Sequence, residues 1–177
     1  LDFARGLVTG AANIKGVMAS VPAVSPGRFT AVWGEDGDDH QYLMSRYRRE
    51  LGEGVSFGIS SAREASAGVS RKITGADFST RILSGRFAAE YASAAPGGNG
   101  LFLSYDGFPR DSLRLVAEYR RYRDFRVDNN NPPSYLGRSG GDEENQRSFY
   151  SAVEWTVRDG LDMLLSRDHI YDARGRR

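Results

Sequence analysis

The chain has 177 residues, with 24 Lys and Arg against 23 Asp and Glu, a formal net charge of +1 and no cysteine. The missing cysteines exclude a disulfide scaffold, a Cys-ligated zinc site and thiol chemistry. The near-neutral balance argues against a dedicated nucleic-acid binder, and no apolar run reaches the roughly 18 residues of a transmembrane helix. That length supports one domain with a sizeable core, or part of a larger one. The Leu1 start and the closing Arg174-Gly175-Arg176-Arg177 lead us to expect a chain lacking both natural ends.

Taken in order, the apolar residues alternate with polar ones. In 28–34, Phe29, Ala31 and Trp33 oppose Arg28, Thr30 and Gly34. Residues 40–50 continue the pattern. In 55–62, Val55, Phe57 and Ile59 oppose Ser56, Gly58 and Ser60. In 65–74, Ala65, Ala67, Val69 and Ile73 share one side with Arg71, and Ser66, Gly68, Ser70, Lys72 and Thr74 take the other. Further alternating runs cover 85–93, 113–121, 149–158 and 161–166. A period of two puts each set on one face of a strand. Helical spacing competes in 42–51 (Leu43, Tyr47, Leu51), 111–122 and 144–157. Strands are preferred there because the same segments alternate and their Gly- and Ser-rich flanks suit helices poorly.

The punctuation reads as hairpins. Asp159-Gly160 is a strong two-residue signal. Gly52-Glu53-Gly54, Thr74-Gly75-Ala76-Asp77 and Ser84-Gly85 are short connections. Pro96–Gly100 and Gly107–Asp111 are somewhat longer, and only 128–146 is long. The sequence therefore predicts an all-β single domain over 1–177, with about 10–12 strands in up-and-down antiparallel order.

Two architectures absorb so many amphipathic strands: a soluble sandwich or barrel, and a transmembrane β-barrel with apolar residues outward. Segments 40–50, 64–74, 85–94, 112–124 and 147–158 reach the ~9–11 residues of a membrane-spanning strand, above the usual ~5–6. Trp33, Tyr47, Tyr91, Tyr105, Tyr119 and Trp155 lie near strand ends, as interfacial girdles do. One long connection among short turns matches the asymmetry of outer-membrane barrels.

The stretch Leu113–Val127 (LRLVAEYRRYRDFRV), the following Asp128-Asn129-Asn130-Asn131-Pro132-Pro133-Ser134, and the opening 1–8 with the hairpin to 14–18 carry a resemblance. The chain resembles bacterial outer-membrane β-barrels, most like a porin-like group of uncharacterised barrels. The pattern covers nearly the whole chain, and the specific motif about 25 residues. The closing GRR departs from the terminal aromatic strand of such barrels. The resemblance implies a transmembrane barrel, or an open part of one, in the Gram-negative outer membrane. It further implies passive transport or a structural wall, no catalysis, no cofactor, no metal, and an extracellular loop at 128–146.

On this reading Arg46, Arg48, Glu50, Arg86, Glu90, Arg114, Glu118, Glu154, Arg158 and Asp162 face a lumen, paired across strands or lining a polar path. Arg121 and Arg123 are candidates for lipopolysaccharide phosphates, and the partners expected are lipid and lipopolysaccharide rather than nucleic acid. The aromatic–basic run of Tyr119, Arg120, Arg121, Tyr122, Arg123, Phe125 and Arg126 otherwise has the composition of a single-strand binder. The alternative function is a soluble, secreted all-β module that binds carbohydrate on Trp33, Tyr91 and Trp155.

Other motifs read blandly. Gly137-Arg138-Ser139-Gly140-Gly141 matches a nucleophile elbow but sits in a loop context. His40 and His169, beside Asp39 and Asp168, lack metal-ligand spacing. The acidic clusters 35–39 and 142–144 read as a turn and a solvated loop, without the ligand order of a calcium site.

Overall fold

The computed structural model describes residues 15–22, 27–35, 41–66, 69–95, 97–125, 145–158 and 161–172. They form ten strands: β1 Lys15–Pro22, β2 Gly27–Glu35, β3 Gln41–Gly52, β4 Val55–Ser66, β5 Val69–Ile82, β6 Gly85–Ala95, β7 Asn99–Arg110, β8 Leu113–Arg123, β9 Gln146–Arg158 and β10 Leu161–Asp172. All ten join in one sheet in sequence order, each antiparallel to the next. β1 and β10 are the two edges and do not pair with each other. The architecture is thus an all-β, up-and-down sheet, an open part of a barrel rather than a closed one.

The segments where helix competed all form strands, in β3, β8 and β9. Burying one face of a sheet holds alternating residues better than a helix would hold the same pattern. Strands β3 to β10 run for 11 to 14 residues.

Three assignments differ from the sequence reading. The run 65–74 is not one strand. β4 ends at Ser66 and β5 begins at Val69, so Ile73 and Arg71 fall on the face opposite to Ala65. Thr74–Asp77 is no turn either. It lies inside β5, where Gly75 pairs with Ser60 and Ala92, and Asp77 with Gly58 and Glu90. Similarly Gly107–Arg110 belongs to β7, with an irregular register between Gly107 and Arg110 before the turn at Asp111 and Ser112.

Connections alternate between two ends. One end of the sheet carries the strand termini Pro22 and Gly27, Gly52 and Val55, Ile82 and Gly85, Arg110 and Leu113, and Arg158 and Leu161; the other carries Glu35 and Gln41, Ser66 and Val69, Ala95 and Asn99, and Arg123 and Gln146. The longest connection therefore shares an end with the next longest. Leu83 and Ser84 both have positive φ (49° and 57°), the backbone of a two-residue hairpin normally built from Asn and Gly.

Burial separates the two faces sharply. The buried non-glycine strand residues are Tyr42, Ser56, Ala62, Ile73, Glu90, Ala92, Ala94, Phe102, Val116, Glu118, Arg120, Tyr122, Ser148 and Ala152. The register puts all of them on one face. A single-layer sheet can bury one face only by curling over it. The opposite face holds Val17, Phe29, Trp33, Leu43, Phe57, Ile59, Phe78, Tyr91, Phe149, Val153, Trp155 and Met163, all exposed. Large apolar residues exposed on the covered face are Met18 on β1 and Leu164 and Ile170 on β10, at the edges, and Phe108 in the irregular end of β7, its ring 5.7 Å from the Arg114 guanidinium.

The open face has its own packing. A Cβ on Gly27 would meet the Tyr47 ring, and one on Gly85 or Gly107 would meet Tyr105. Each tyrosine lies over neighbouring glycine backbone, and Tyr105 Oη donates to the Leu83 carbonyl at 3.0 Å.

Candidate functional site

The covered face has two zones. Toward the end bearing the long connection, Ile73, Ala92, Ala94, Phe102, Tyr122 and Phe125 form a dry cluster. Phe125 follows β8 directly and turns back onto the face, its ring 6.3 Å from that of Tyr122. Gly100 makes room, since a Cβ there would press on both rings.

The rest of the covered face is built from ions. Arg46 on β3 reaches past β4 to Asp77 on β5, Nη2 to Oδ2 at 2.9 Å, with both side chains about four-fifths buried. Gly58 on β4 leaves the space: a Cβ there would come within 2.3 Å of that carboxylate. Arg48 donates to Ser56 Oγ at 3.1 Å, Ser56 and Ser79 share a hydrogen bond of 2.9 Å, and Arg48 lies 3.6 Å from Glu50. Arg46, Arg48, Asp77 and Ser79, with Arg86 and Glu90, line a small polar cavity.

Nearer the short-turn end, Arg114 forks onto Asp106, with Nε to Oδ1 at 2.9 Å and Nη2 to Oδ2 at 2.8 Å. Its Nη1 reaches Glu154 at 3.1 Å. This two-pronged geometry is the strong form of an arginine–carboxylate pair. Deeper in the sheet Arg120 and Glu118 are almost fully buried, 3.6 Å apart, an ionic contact longer than a hydrogen bond. The Arg120 guanidinium also lies 5.8 Å from the Phe102 ring centre, within cation–π range. At the β9–β10 turn, Thr156 donates to Asp162 at 2.8 Å.

Of the residues expected to face a lumen, Arg46, Arg48, Glu50, Arg86, Glu90, Arg114, Glu118, Glu154 and Asp162 all fall on the covered face. Arg158 ends β9. Glu50, Arg48 and Arg86 remain exposed at its margin. Within the expected set Arg114 pairs across strands with Glu154. Arg46 also pairs with Asp77 and Arg114 with Asp106, two carboxylates that sequence reasoning passed over. Asp77 was hidden in the supposed 74–77 turn. Its signal was the shared alternation with Ser79 once that turn is removed.

Arg121 and Arg123 project from the open face, at the long-connection end, opposite Arg147 and Asn99. The aromatic–basic run therefore divides: Arg120 and Tyr122 turn inward, Tyr119, Arg121 and Arg123 outward, and it offers no single stacking surface. Trp33, Tyr91 and Trp155 all lie on the open face but on β2, β6 and β9. At ~4.8 Å per strand, neighbouring members of this set stand more than ~14 Å apart. They make no common platform.

His169 contacts Arg167 and Tyr171 on the open face of β10, its ring stacked on Tyr171 at 5.8 Å. Asp168, the preceding residue along the strand, points to the other face. His40, 36–39 and 126–144, with the Gly137–Gly141 motif and Asp142–Glu144, lie outside the described residues. Among the described residues no group of three or more His, Asp or Glu is placed to hold a metal ion. No family model, curated protein or solved structure matches the chain.

Proposed function

We propose that the chain is wall material of a bacterial outer-membrane β-barrel. The observation that carries this reading is the inversion of the faces: ion pairs covered, aliphatic and aromatic side chains displayed. A soluble monomer rarely exposes a contiguous apolar patch beyond a few hundred Å². Here exposed apolar side chains stand on the open face of β1 to β6, β9 and β10, with the half-buried Leu103 of β7 and Leu115 of β8 between them. In a bilayer this face becomes the lipid-facing surface, and the antiparallel ladder satisfies the backbone without helices.

Between a freely conducting pore and a structural wall, the covered face favours the wall. The dry cluster around Tyr122 and Phe125 fills one end, and the interlocked Arg46–Asp77 and Asp106–Arg114–Glu154 groups occupy the rest. The mixed signs of these groups cancel much of each other's field, so whatever passes is expected to cross with little charge selectivity. Outer-leaflet lipid, including lipopolysaccharide, is the proposed partner of Arg121 and Arg123.

Detergent dependence is the first test. The folded protein should require micelles, migrate faster on gels before boiling than after, and give small or no single-channel currents in planar bilayers. A chain that stays monomeric and folded in plain buffer overturns the proposal.

A further inference from the structure

The open face is not apolar throughout. At the long-connection end Arg63 stands directly opposite Lys72 across β4 and β5, and Arg121 directly opposite Arg147 across β8 and β9. Arg123 follows one row beyond, opposite Asn99. Arg63 shares its row with Trp33 and Leu43, and Arg121 shares its row with Leu101, so the cations border the apolar band directly.

Arg63, Lys72, Arg123 and Arg147 are exposed. Their contacts are neutral: Arg63 Nε donates to Ser70 Oγ at 3.2 Å, and the Arg147 guanidinium lies 5.7 Å from the Tyr119 ring. Arg121 Nε is buried without a hydrogen-bond acceptor among the described residues. The described ion pairs lie on the covered face, and none involves these five residues. Glu35, on β2 at the same end, pairs in register with Gln41 and Lys15.

Like charges directly opposite one another destabilise a sheet. Two such pairs on one rim leave positive charge that an anion seated between the members would relieve. Opposite Cβ atoms are ~4.5–5.5 Å apart, a spacing at which one phosphate can accept charge-assisted bonds from both side chains.

Resting on the membrane reading above, we propose that this rim binds the phosphate groups of anionic lipid headgroups. One phosphate bridges Arg63 and Lys72, a second bridges Arg121 and Arg147, and Arg123 flanks the second. The apolar band below each pair takes the acyl chains. The unit of recognition is therefore the like-charged cross-strand pair, and it brings Arg63, Lys72 and Arg147 into the site.

The test uses the whole chain folded in zwitterionic micelles, with phosphatidylglycerol or phosphatidylcholine added and retained lipid counted by native mass spectrometry. Each cation near an anionic surface contributes about fivefold, so the wild type should retain phosphatidylglycerol at least about tenfold over phosphatidylcholine. The variant R63Q/K72Q/R121Q/R147Q should lose that preference to within about twofold. It should keep its heat-modifiable migration, because repulsion is removed with the charge. The pairwise variants R63Q/K72Q and R121Q/R147Q should each lose part, and R121K/R147K should keep most of it. Equal retention of the two lipids by folded wild type, or undiminished preference in the glutamine variants, overturns the inference and leaves the membrane reading standing. A wild-type chain that folds without detergent overturns both.

Discussion

Replacing Ile59 with Arg separates a lipid-facing sheet from a water-facing one. Ile59 is at the centre of β4, flanked in register by Tyr47 and Ala76, and is 48% exposed. Full burial of an isoleucine is worth about 1.5–3 kcal/mol, so its outward half contributes about 1 kcal/mol if lipid covers it. In a bilayer the substitution loses that term and adds about 2–4 kcal/mol for a guanidinium at mid-depth. The expected total is near 4 kcal/mol. In water the outward half is hydrated before and after, and only the cross-strand contacts change, by about 0.2–1 kcal/mol each. The arginine stem replaces part of even that. Urea unfolding in lipid vesicles, followed by Trp33 and Trp155 fluorescence, measures the loss. The I59A variant serves as the control for lost contact without charge. A deficit below about 1 kcal/mol for I59R in vesicles would refute the assignment of this face to lipid.

Four further outcomes are expected. Phe125→Ala empties a ring that is 1% exposed and should cost about 3–5 kcal/mol in unfolding; if the wall is closed there, single-channel conductance should also rise. Arg114→Met leaves Asp106 and Glu154 facing one another and should cost about 1–3 kcal/mol, the upper end requiring that little water reach them. Gly58→Ala displaces the Asp77 carboxylate from Arg46 and should destabilise by about 1 kcal/mol; in a double-mutant cycle with Asp77→Ser most of that penalty should vanish. The double change L83N/S84G suits the positive φ of both turn residues and should raise stability by about 1 kcal/mol, measured by the denaturation midpoint.

Alternation is a local property, and it was legible where a strand stayed uninterrupted. Phe29, Ala31 and Trp33 could be assigned to one side of β2, and Leu113, Leu115 and Tyr119 to one side of β8, because i and i+2 share a face in any strand. It failed at 65–74, where the chain turns between Ser66 and Val69 without a strong turn signature. The apparent strand joined two half-patterns, and Ile73 and Arg71 changed sides. The glycines misled at Gly75, which fills a strand position, and Pro109 misled in the irregular end of β7.

The ion pairs were not legible because each is made by register. Arg46 meets Asp77 across an intervening strand, and the contact needs Gly58 to be small at the right row. Arg120 and Arg121 are neighbours in sequence, yet one is buried against Phe102 and Glu118 and the other belongs to the open rim. Like charges facing each other, as Arg63 and Lys72 do, leave no trace in a one-dimensional pattern.

By itself, then, the sequence determined strand content, hairpin order and the partition of side chains into two sets, since backbone geometry dictates these over a few residues. Only the tertiary structure decided which set is covered, because the direction in which a sheet curls depends on the summed packing of strands far apart in the chain. Phe125 turning back over Gly100 and Tyr122, and Asp106 and Glu154 converging on Arg114, are parts of that summed packing.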